Sequence, residues 1–391
     1  MNILFAHNGP LLVDENKRYY NRSMGDSLVR RYKLLGKHVT FLMRKTVISS
    51  GEAKYIPQIM EPNFSFTEVP DMMSVKSRLF FKKRIRSVIK RAVQEHDILI
   101  ARTPSFIGNM ALKYAKLMNK PYIVEFVACP WDAMWYYNWK GRIIAPYAYL
   151  KNRRAIYDSK HVIYVTKQFL QNRYPTKGKA YSISNVEIDE VTEDVLEKRL
   201  EKIERLDLNA PIFLGTAANI DVPYKGQADV IKALYLLKKE GITQFRYRIV
   251  GAGNPERLLY IIKKLGMQDF VSIEGPVKHS DILSFYDELD IYIQPSKQEG
   301  LPRSVIEAMS RGCPVIGART GGIPELLDDL MIYKKGKIKQ LAEKLQIFIN
   351  KQILIEHSKR NFEHSKRYEK SVIDEKRRQC YNAFLQNENL V

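Results

Sequence analysis

Two glutamates, Glu299 and Glu307, stand with seven residues between them in the stretch 291–325, IYIQPSKQEGLPRSVIEAMSRGCPVIGARTGGIPE. Carboxylates accept paired hydrogen bonds from neighbouring hydroxyls, so this pair suits a sugar or a ribose. The apolar run before them reads as a buried strand ending at Pro295, and in an open parallel sheet ligands bind beyond such carboxyl ends. Gly300 removes a side chain where a ligand would approach the backbone. Pro302 opens a helix whose unpaired N–H groups and positive pole suit phosphate. Arg303 puts a cation in the first turn, against the dipole preference, which makes sense beside an anion. By spacing alone a second reading stays open: one Glu caps the helix and the other lies on its exposed face.

The run Glu299-Gly300-Leu301-Pro302, Glu307-Ala308-Met309, Gly312, Pro314-Val315, then Gly321-Gly322 with Glu325, resembles the signature of the retaining glycosyltransferases of family 4, of the bacterial surface-polysaccharide type. The resemblance reaches back through 249–253, 273–275 and 290–291 and covers most of 211–330. It implies an α/β GT-B architecture of two Rossmann-like domains facing across a cleft. The nucleotide sugar would bind mainly to the second domain and the acceptor mainly to the first. Carried over, Glu299 contacts the donor sugar and Glu307 the ribose, while the backbone of Gly300, Leu301 and Pro302 lines sugar and phosphate. Lys225-Gly226 matches half of the family's diphosphate-binding basic pair; the Arg is missing, and Arg303 is the candidate to compensate. Gly251 would turn near the nucleotide and Val277 meet the base. Apart from the resemblance, Lys225 before a helix reads as an ordinary surface lysine, and Gly251-Ala252-Gly253 lacks the third glycine of a dinucleotide fingerprint.

The implied reaction is hexosyl transfer with retention by same-face attack, with Glu299 and Lys225 as catalytic residues, no metal and no cofactor. The substrate would be a UDP- or GDP-linked sugar and the acceptor lipid-linked or a glycan. On the acceptor side the signals thin to Gly9 after the first strand, and Glu125 and Asp132 in EFVACPWD, where many relatives carry a histidine and this chain has none. Structural hydrogen bonding at a strand end explains those two carboxylates as well.

These residues need a frame. Strands are expected at 212–216, 247–250, 271–274, 291–294 and 315–318, alternating with helices at 228–239, 257–265, 280–289 and 302–311, the pattern of βα units and a parallel sheet. The first half repeats it less regularly, with strands at 2–6, 39–43, 98–101, 122–127 and 161–165 and a helix at 27–35. The charged stretch 189–207 reads as a linker or its flanking helix. The expected division is an acceptor domain over 1–190 and a nucleotide-sugar domain over 191–365, with a helix at 366–391 returning to the first. Within a helical tail at 340–385, the repeated EHSKR at 356 and 363 reads as two turns of a solvated helix.

The chain has 391 residues and a net charge of +21, which bears on partners rather than fold. Cys129, Cys313 and Cys380 are too scattered for a disulfide framework or a zinc site. The opening residues carry no basic n-region, and no run of apolar residues is long enough to span a membrane, so a cytoplasmic protein, peripheral on the inner face of the cell membrane, is expected. Between Asp71 and Glu95 eight basic residues occur and no acidic one. Residues 76–91 form a basic amphipathic pattern, with Phe81, Ile85, Val88, Ile89 and Ala92 at helical spacing, that suits an anionic membrane surface; packing of that stripe on the core is the alternative. The aromatic cluster Trp131, Trp135, Tyr136, Tyr137 and Trp139 fits either a membrane interface or an acceptor pocket. A GT-B-type sugar-nucleotide epimerase is the rival enzyme, though the basic segment speaks against it. A basic nucleic-acid-binding protein is the rival of another class, but no known nucleic-acid motif occurs, so no nucleic-acid partner is expected.

Overall fold

Short runs of branched and aromatic residues buried on both faces can persist only as strands covered by helices on each side. The computed structural model, which describes residues 1–21, 25–54, 56–70, 80–278 and 280–390, places these runs in two sheets. The first contains β1 (Asn2–Val13), β2 (Tyr19–Tyr20), β3 (His38–Val47), β4 (Phe64–Glu68), β5 (Ile98–Thr103), β6 (Tyr122–Phe126), β7 (His161–Tyr164) and β8 (Lys179–Ser182). Its order is β4-β3-β1-β5-β6-β7-β8, parallel throughout, with β2 antiparallel on the far end of β1. The second contains β9 (Ile212–Ala217), β10 (Phe245–Val250), β11 (Val271–Gly275), β12 (Ile291–Gln294), β13 (Val315–Ala318) and β14 (Ile332–Tyr333), all parallel, in the order β11-β10-β9-β12-β13-β14.

Both orders reverse direction once, between β1 and β5 and between β9 and β12. In doubly wound sheets the crevice for a ligand opens at that reversal, outside the carboxyl ends. The two α/β sheets therefore supply two such crevices, and Leu301 packs against the cores of both domains.

The stretch expected as linker or helix is the helix Glu193–Arg205. Its Arg199 is buried and donates to the carbonyls of Tyr286 (2.7 Å), Leu289 (2.5 Å) and Arg311 (3.1 Å), tying it to the second domain. The tail is broken into helices Ile338–Ile347, Lys351–Ser365 and Lys370–Asn387. The last crosses back to the first domain: Arg377 donates to the Ser184 carbonyl at 3.0 Å, and the rings of Phe384 and His161 meet edge to face at 5.1 Å.

Three expectations are corrected. The opening strand does not stop at Ala6; His7-Asn8-Gly9 is a bulge, after which pairing to β3 resumes at Pro10–Arg44 and continues to Val13. The EHSKR repeat is not a solvated face. Seven residues make two helical turns, so equivalent residues share a side, and here that side points inward: His357 and Ser358 are buried and His364 bonds the Leu326 carbonyl at 3.1 Å. The apolar stripe of the basic segment is not free for lipid. In the helix Lys82–Glu95, Ile85, Ile89, Ala92 and Val93 are buried in the first domain, and Val88 and the preceding Phe81 pack half-buried against it, while the charged side chains stand outside. Lys76 and Arg78 lie outside the described residues.

Candidate active site

The sequence ends β12 on a polar residue, Gln294, and the fold buries that residue almost completely. Such a group must be fully bonded, and it is. It accepts from the Tyr292 hydroxyl (2.7 Å) and Ser304 Oγ (3.0 Å), and its amide donates to Ser296 Oγ (2.9 Å) and Glu299 Oε1 (3.0 Å). Gln294 thus fixes the carboxylate of Glu299 on the loop that follows. The same oxygen takes Lys225 Nζ at 2.6 Å.

Lys225 reaches it from the loop after β9, the strand beside β12 at the reversal. Gly226 makes this possible: its φ is 82°, and a side chain there would collide with the Pro295 carbonyl. The Lys297 N–H to Tyr224 carbonyl bond, 2.7 Å, stitches the two loops together. The following helix, Arg303–Ser310, begins without a side-chain cap and without an acidic residue in its first turn. Its first N–H groups and positive pole lie at the end of the same loop.

Glu307 is buried inside that helix. The Tyr286 hydroxyl donates to its Oε2 at 3.1 Å, and Arg303 lies 3.9 Å from its Oε1. Burial and the adjacent carboxylate hold the Tyr286 phenol well above its ordinary range, so it stays a donor. Glu307 and Arg303 line a cleft of about 620 Å³ with Ser280, Leu283, Glu187 and, from the first domain, Ser27. Arg303 also donates to the Glu187 carbonyl at 3.4 Å. Gly251, at φ 154°, fits against the Ala218 carbonyl, and its N–H donates to the Gly275 carbonyl at 2.8 Å. Val277 is half-buried on the loop after β11. The loops after β9, β10 and β11 therefore form one stitched rim.

The first domain closes on this rim at named points. A Cβ on Gly300 would stand 2.7 Å from the Val127 carbonyl. The Gly322 N–H donates to the Gly300 carbonyl at 2.7 Å, holding the loop from behind. Glu325 accepts the N–H groups of Lys167 (2.5 Å), Gln168 (3.0 Å) and Phe169 (2.8 Å). Lys335 Nζ sits 4.5 Å over the Tyr136 ring.

On the acceptor side the carboxylates are not presented to the cleft. Glu125 is 3% exposed, and both oxygens are taken: Arg102 lies 2.7 Å from Oε2, and the Tyr32 hydroxyl donates to Oε1 at 2.8 Å. Burial alone would raise its pKa, but Arg102, helped by Arg31, outweighs it and keeps the group below the usual carboxylate range. Asp132 is buried at the start of the helix Pro130–Trp135, 3.4 Å from Arg173. Gly9 lies in the β1 bulge. The bulge instead brings forward two residues that sequence reasoning passed over, His7 and Asn8. Their Nδ1 and Oδ1 are buried and without a hydrogen-bond partner. Desolvation, then the nearby Arg102, lower the His7 pKa to about 3, so the ring is neutral. The available signal was a polar pair ending an apolar run at the sheet's reversal.

Residues 201–367 match the family model for glycosyl transferases group 1. The chain is 29% identical to Protein CapJ of Staphylococcus aureus over 360 residues, 90% of this chain and 87% of that one. It is 32% identical to the putative colanic acid biosynthesis glycosyltransferase WcaL of Escherichia coli, over 32% of this chain and a third (33%) of that one. Among solved structures it is similar to Anabaena HepE in complex with UDP-glucose, at a TM-score of 0.65 and 16% identity, covering 98% of this chain and 100% of that chain. The two facing parallel-sheet domains are those of the GT-B fold.

Proposed function

We propose that this chain, whose residues 201–367 match the glycosyl transferases group 1 model and whose fold is GT-B, is a glycosyltransferase that transfers a hexose, with retention, from a nucleoside-diphosphate sugar to a lipid-linked or glycan acceptor during assembly of a bacterial surface polysaccharide. The polysaccharide assignment rests on similarity to a colanic acid biosynthesis glycosyltransferase. A uridine donor is the first choice because the similar fold of HepE holds UDP-glucose.

The observation that carries the reading is the 2.6 Å contact of Lys225 with Glu299 at the reversal of the second sheet, beside an uncapped helix N-terminus. Glu299 accepts hydroxyls of the donor sugar and Glu307 those of the ribose. The acceptor oxygen attacks the anomeric carbon on the face from which the β-phosphate oxygen departs. The anomeric C–O bond to phosphate breaks, a new C–O bond forms, and the acceptor proton passes to the leaving diphosphate. Lys225, Arg303 and the first N–H groups of Arg303–Ser310 take up the charge that develops on that leaving group. No step calls for a metal ion. On the first domain, His7 and Asn8 supply buried polar atoms for the acceptor. We place the reaction on the cytoplasmic face of the membrane, where a lipid-linked acceptor presents its head group.

A thermal-shift screen against UDP, GDP, ADP and their sugars tests this. One nucleotide should raise the melting temperature, as linkage requires of a ligand that binds only the folded state. No shift with any of them would overturn the donor assignment. The anomeric configuration of the product, read by proton couplings, decides retention.

A further inference from the structure

We propose that the outward face of the helix Trp139–Tyr157 docks the protein onto an anionic lipid bilayer. Its apolar stripe is a different one from that of residues 76–91, and the proposal does not depend on the donor assignment. An amphipathic helix on a domain normally turns its apolar stripe inward; this one does the reverse. Its buried residues are Gly141, Ala145, Asn152 and Ile156, mostly small, and they let the helix lie close against Pro130–Trp135, where a side chain at Gly141 would strike the Met134 carbonyl. On the opposite side Trp139, Ile143, Tyr147 and Leu150, spaced by four, four and three, form one stripe. They are 67%, 70%, 65% and 62% exposed. Tyr157 continues the stripe to the helix end.

The charges around the stripe select the occupant. Residues 133–157 hold five basic side chains, Lys140, Arg142, Lys151, Arg153 and Arg154, and no acidic one. Lys140 and Lys151 border the stripe on one side, Arg142 and Arg153 on the other. Long cationic side chains beside an apolar stripe reach to lipid phosphates while the stripe enters the acyl boundary, and Trp and Tyr favour that depth. A second copy fits poorly, because it would bring the same cations face to face in a chain already at +21.

The basic surface continues beyond the helix. Lys151 shares a groove of about 450 Å³ with Lys82, Arg86 and Lys113, floored by Phe106 and Met110. The inward-packed Lys82–Glu95 helix thus contributes its charges to the same face. No helix among the described residues is long and apolar enough to cross a membrane, and surface docking needs none.

Cosedimentation of the full chain with vesicles tests this, using phosphatidylcholine alone and phosphatidylcholine mixed with phosphatidylglycerol. The wild type should bind the anionic vesicles and leave the neutral ones. Replacing the stripe, Ile143→Ser with Tyr147→Ser and Leu150→Ser, should weaken partitioning by about tenfold or more, with the circular dichroism spectrum unchanged. Lys140→Gln with Arg142→Gln and Lys151→Gln leaves the stripe intact and should remove the preference for anionic lipid. Failure of the wild type to bind either vesicle, or serine and glutamine variants that bind like the wild type, would overturn the proposal. So would a monomer–dimer shift in light scattering caused by the serine variant with vesicle binding unaltered.

Discussion

Lys225 Nζ and Glu299 Oε1 lie 2.6 Å apart although they stand 74 positions apart in the chain. The contact joins the loops after β9 and β12 at the one place where the strand order of the second sheet reverses. Both side chains are mostly shielded from water, which strengthens the attraction and the effect of any third charge brought beside them. In the proposed reaction a diphosphate and a sugar hydroxyl would satisfy this pair separately, the anion drawing the ammonium and the hydroxyl donating to the carboxylate.

Glu299→Gln should therefore lower turnover by about a hundredfold or more, the scale of losing one group that acts in the transition state. The Gln294 contact survives as an amide–amide bond, so the loop keeps its place. Nucleotide affinity should stay near that of the parent, because Lys225 is then unpaired and free for phosphate. Lys225→Ala should weaken nucleotide binding as well as turnover. Calorimetry with the nucleotide, beside initial rates, separates the two; near-normal turnover in Glu299→Gln would remove its catalytic role.

Glu125→Gln should act on stability rather than on acceptor recognition. Arg102 and Glu125 are both buried, with Tyr32 completing the cluster. Neutralising one member leaves the guanidinium uncompensated, which costs about 3–5 kcal/mol. Denaturant unfolding should register that loss, while the acceptor KM of the protein still folded should barely move. A large change in KM with unchanged stability would return Glu125 to the acceptor side.

Acid should destabilise the protein in a window set by its buried histidines. Burial lowers His7 from 6.5 to about 3, with Arg102 and Arg44 acting in the same direction and Glu125 against. Burial lowers His364 to about 4. The folded state leaves these rings neutral where the unfolded chain binds protons, so stability is complete above pH 6.5 and is lost as pH falls toward 4 and then 3. Melting temperatures from pH 7.5 to 5 should decline, and His7→Gln should flatten that slope. A slope equal to the parent's would mean that His7 is already solvated.

The candidate donor loop was legible because its residues are local in sequence: Glu299, Gly300, Arg303 and Glu307 share one loop-to-helix junction, and such a junction needs little tertiary knowledge. What the alternation of apolar runs could not carry was pairing across distance. Glu125 lies at the end of a strand and Glu299 on the loop after one; only the fold puts Arg102 against one and Lys225 against the other. Gln294 looked like a strand terminator because its four partners lie on either side of it in the chain and only converge in space. The amphipathic pattern at 81–92 was correctly helical, but periodicity does not say whether an apolar stripe faces a core or a bilayer. The helix Trp139–Tyr157 escaped notice for the complementary reason: its buried side is built from small residues, which weakens the periodic signal that marks a packed helix.

Glu325 offers a test of how the two domains are held. Its carboxylate belongs to the second domain, yet it accepts three successive N–H groups at the start of the helix Phe169–Arg173 in the first. An anion on unpaired helix N–H groups is favourable both by hydrogen bonding and by the dipole. Glu325→Ala removes a charge-assisted interaction of about 1.5–3 kcal/mol from the interdomain contact. Neither domain core loses packing, so the cost should fall on the interdomain angle. Small-angle scattering should show a larger radius of gyration for the variant, shrinking toward the parent's value when the nucleotide bridges the cleft. Glu325→Gln keeps one carbonyl oxygen as an acceptor and should fall between the two. A radius identical to the parent's in Glu325→Ala would assign the closure to Gly300, Leu301 and the Lys335–Tyr136 contact, leaving Glu325 as a cap for the helix alone.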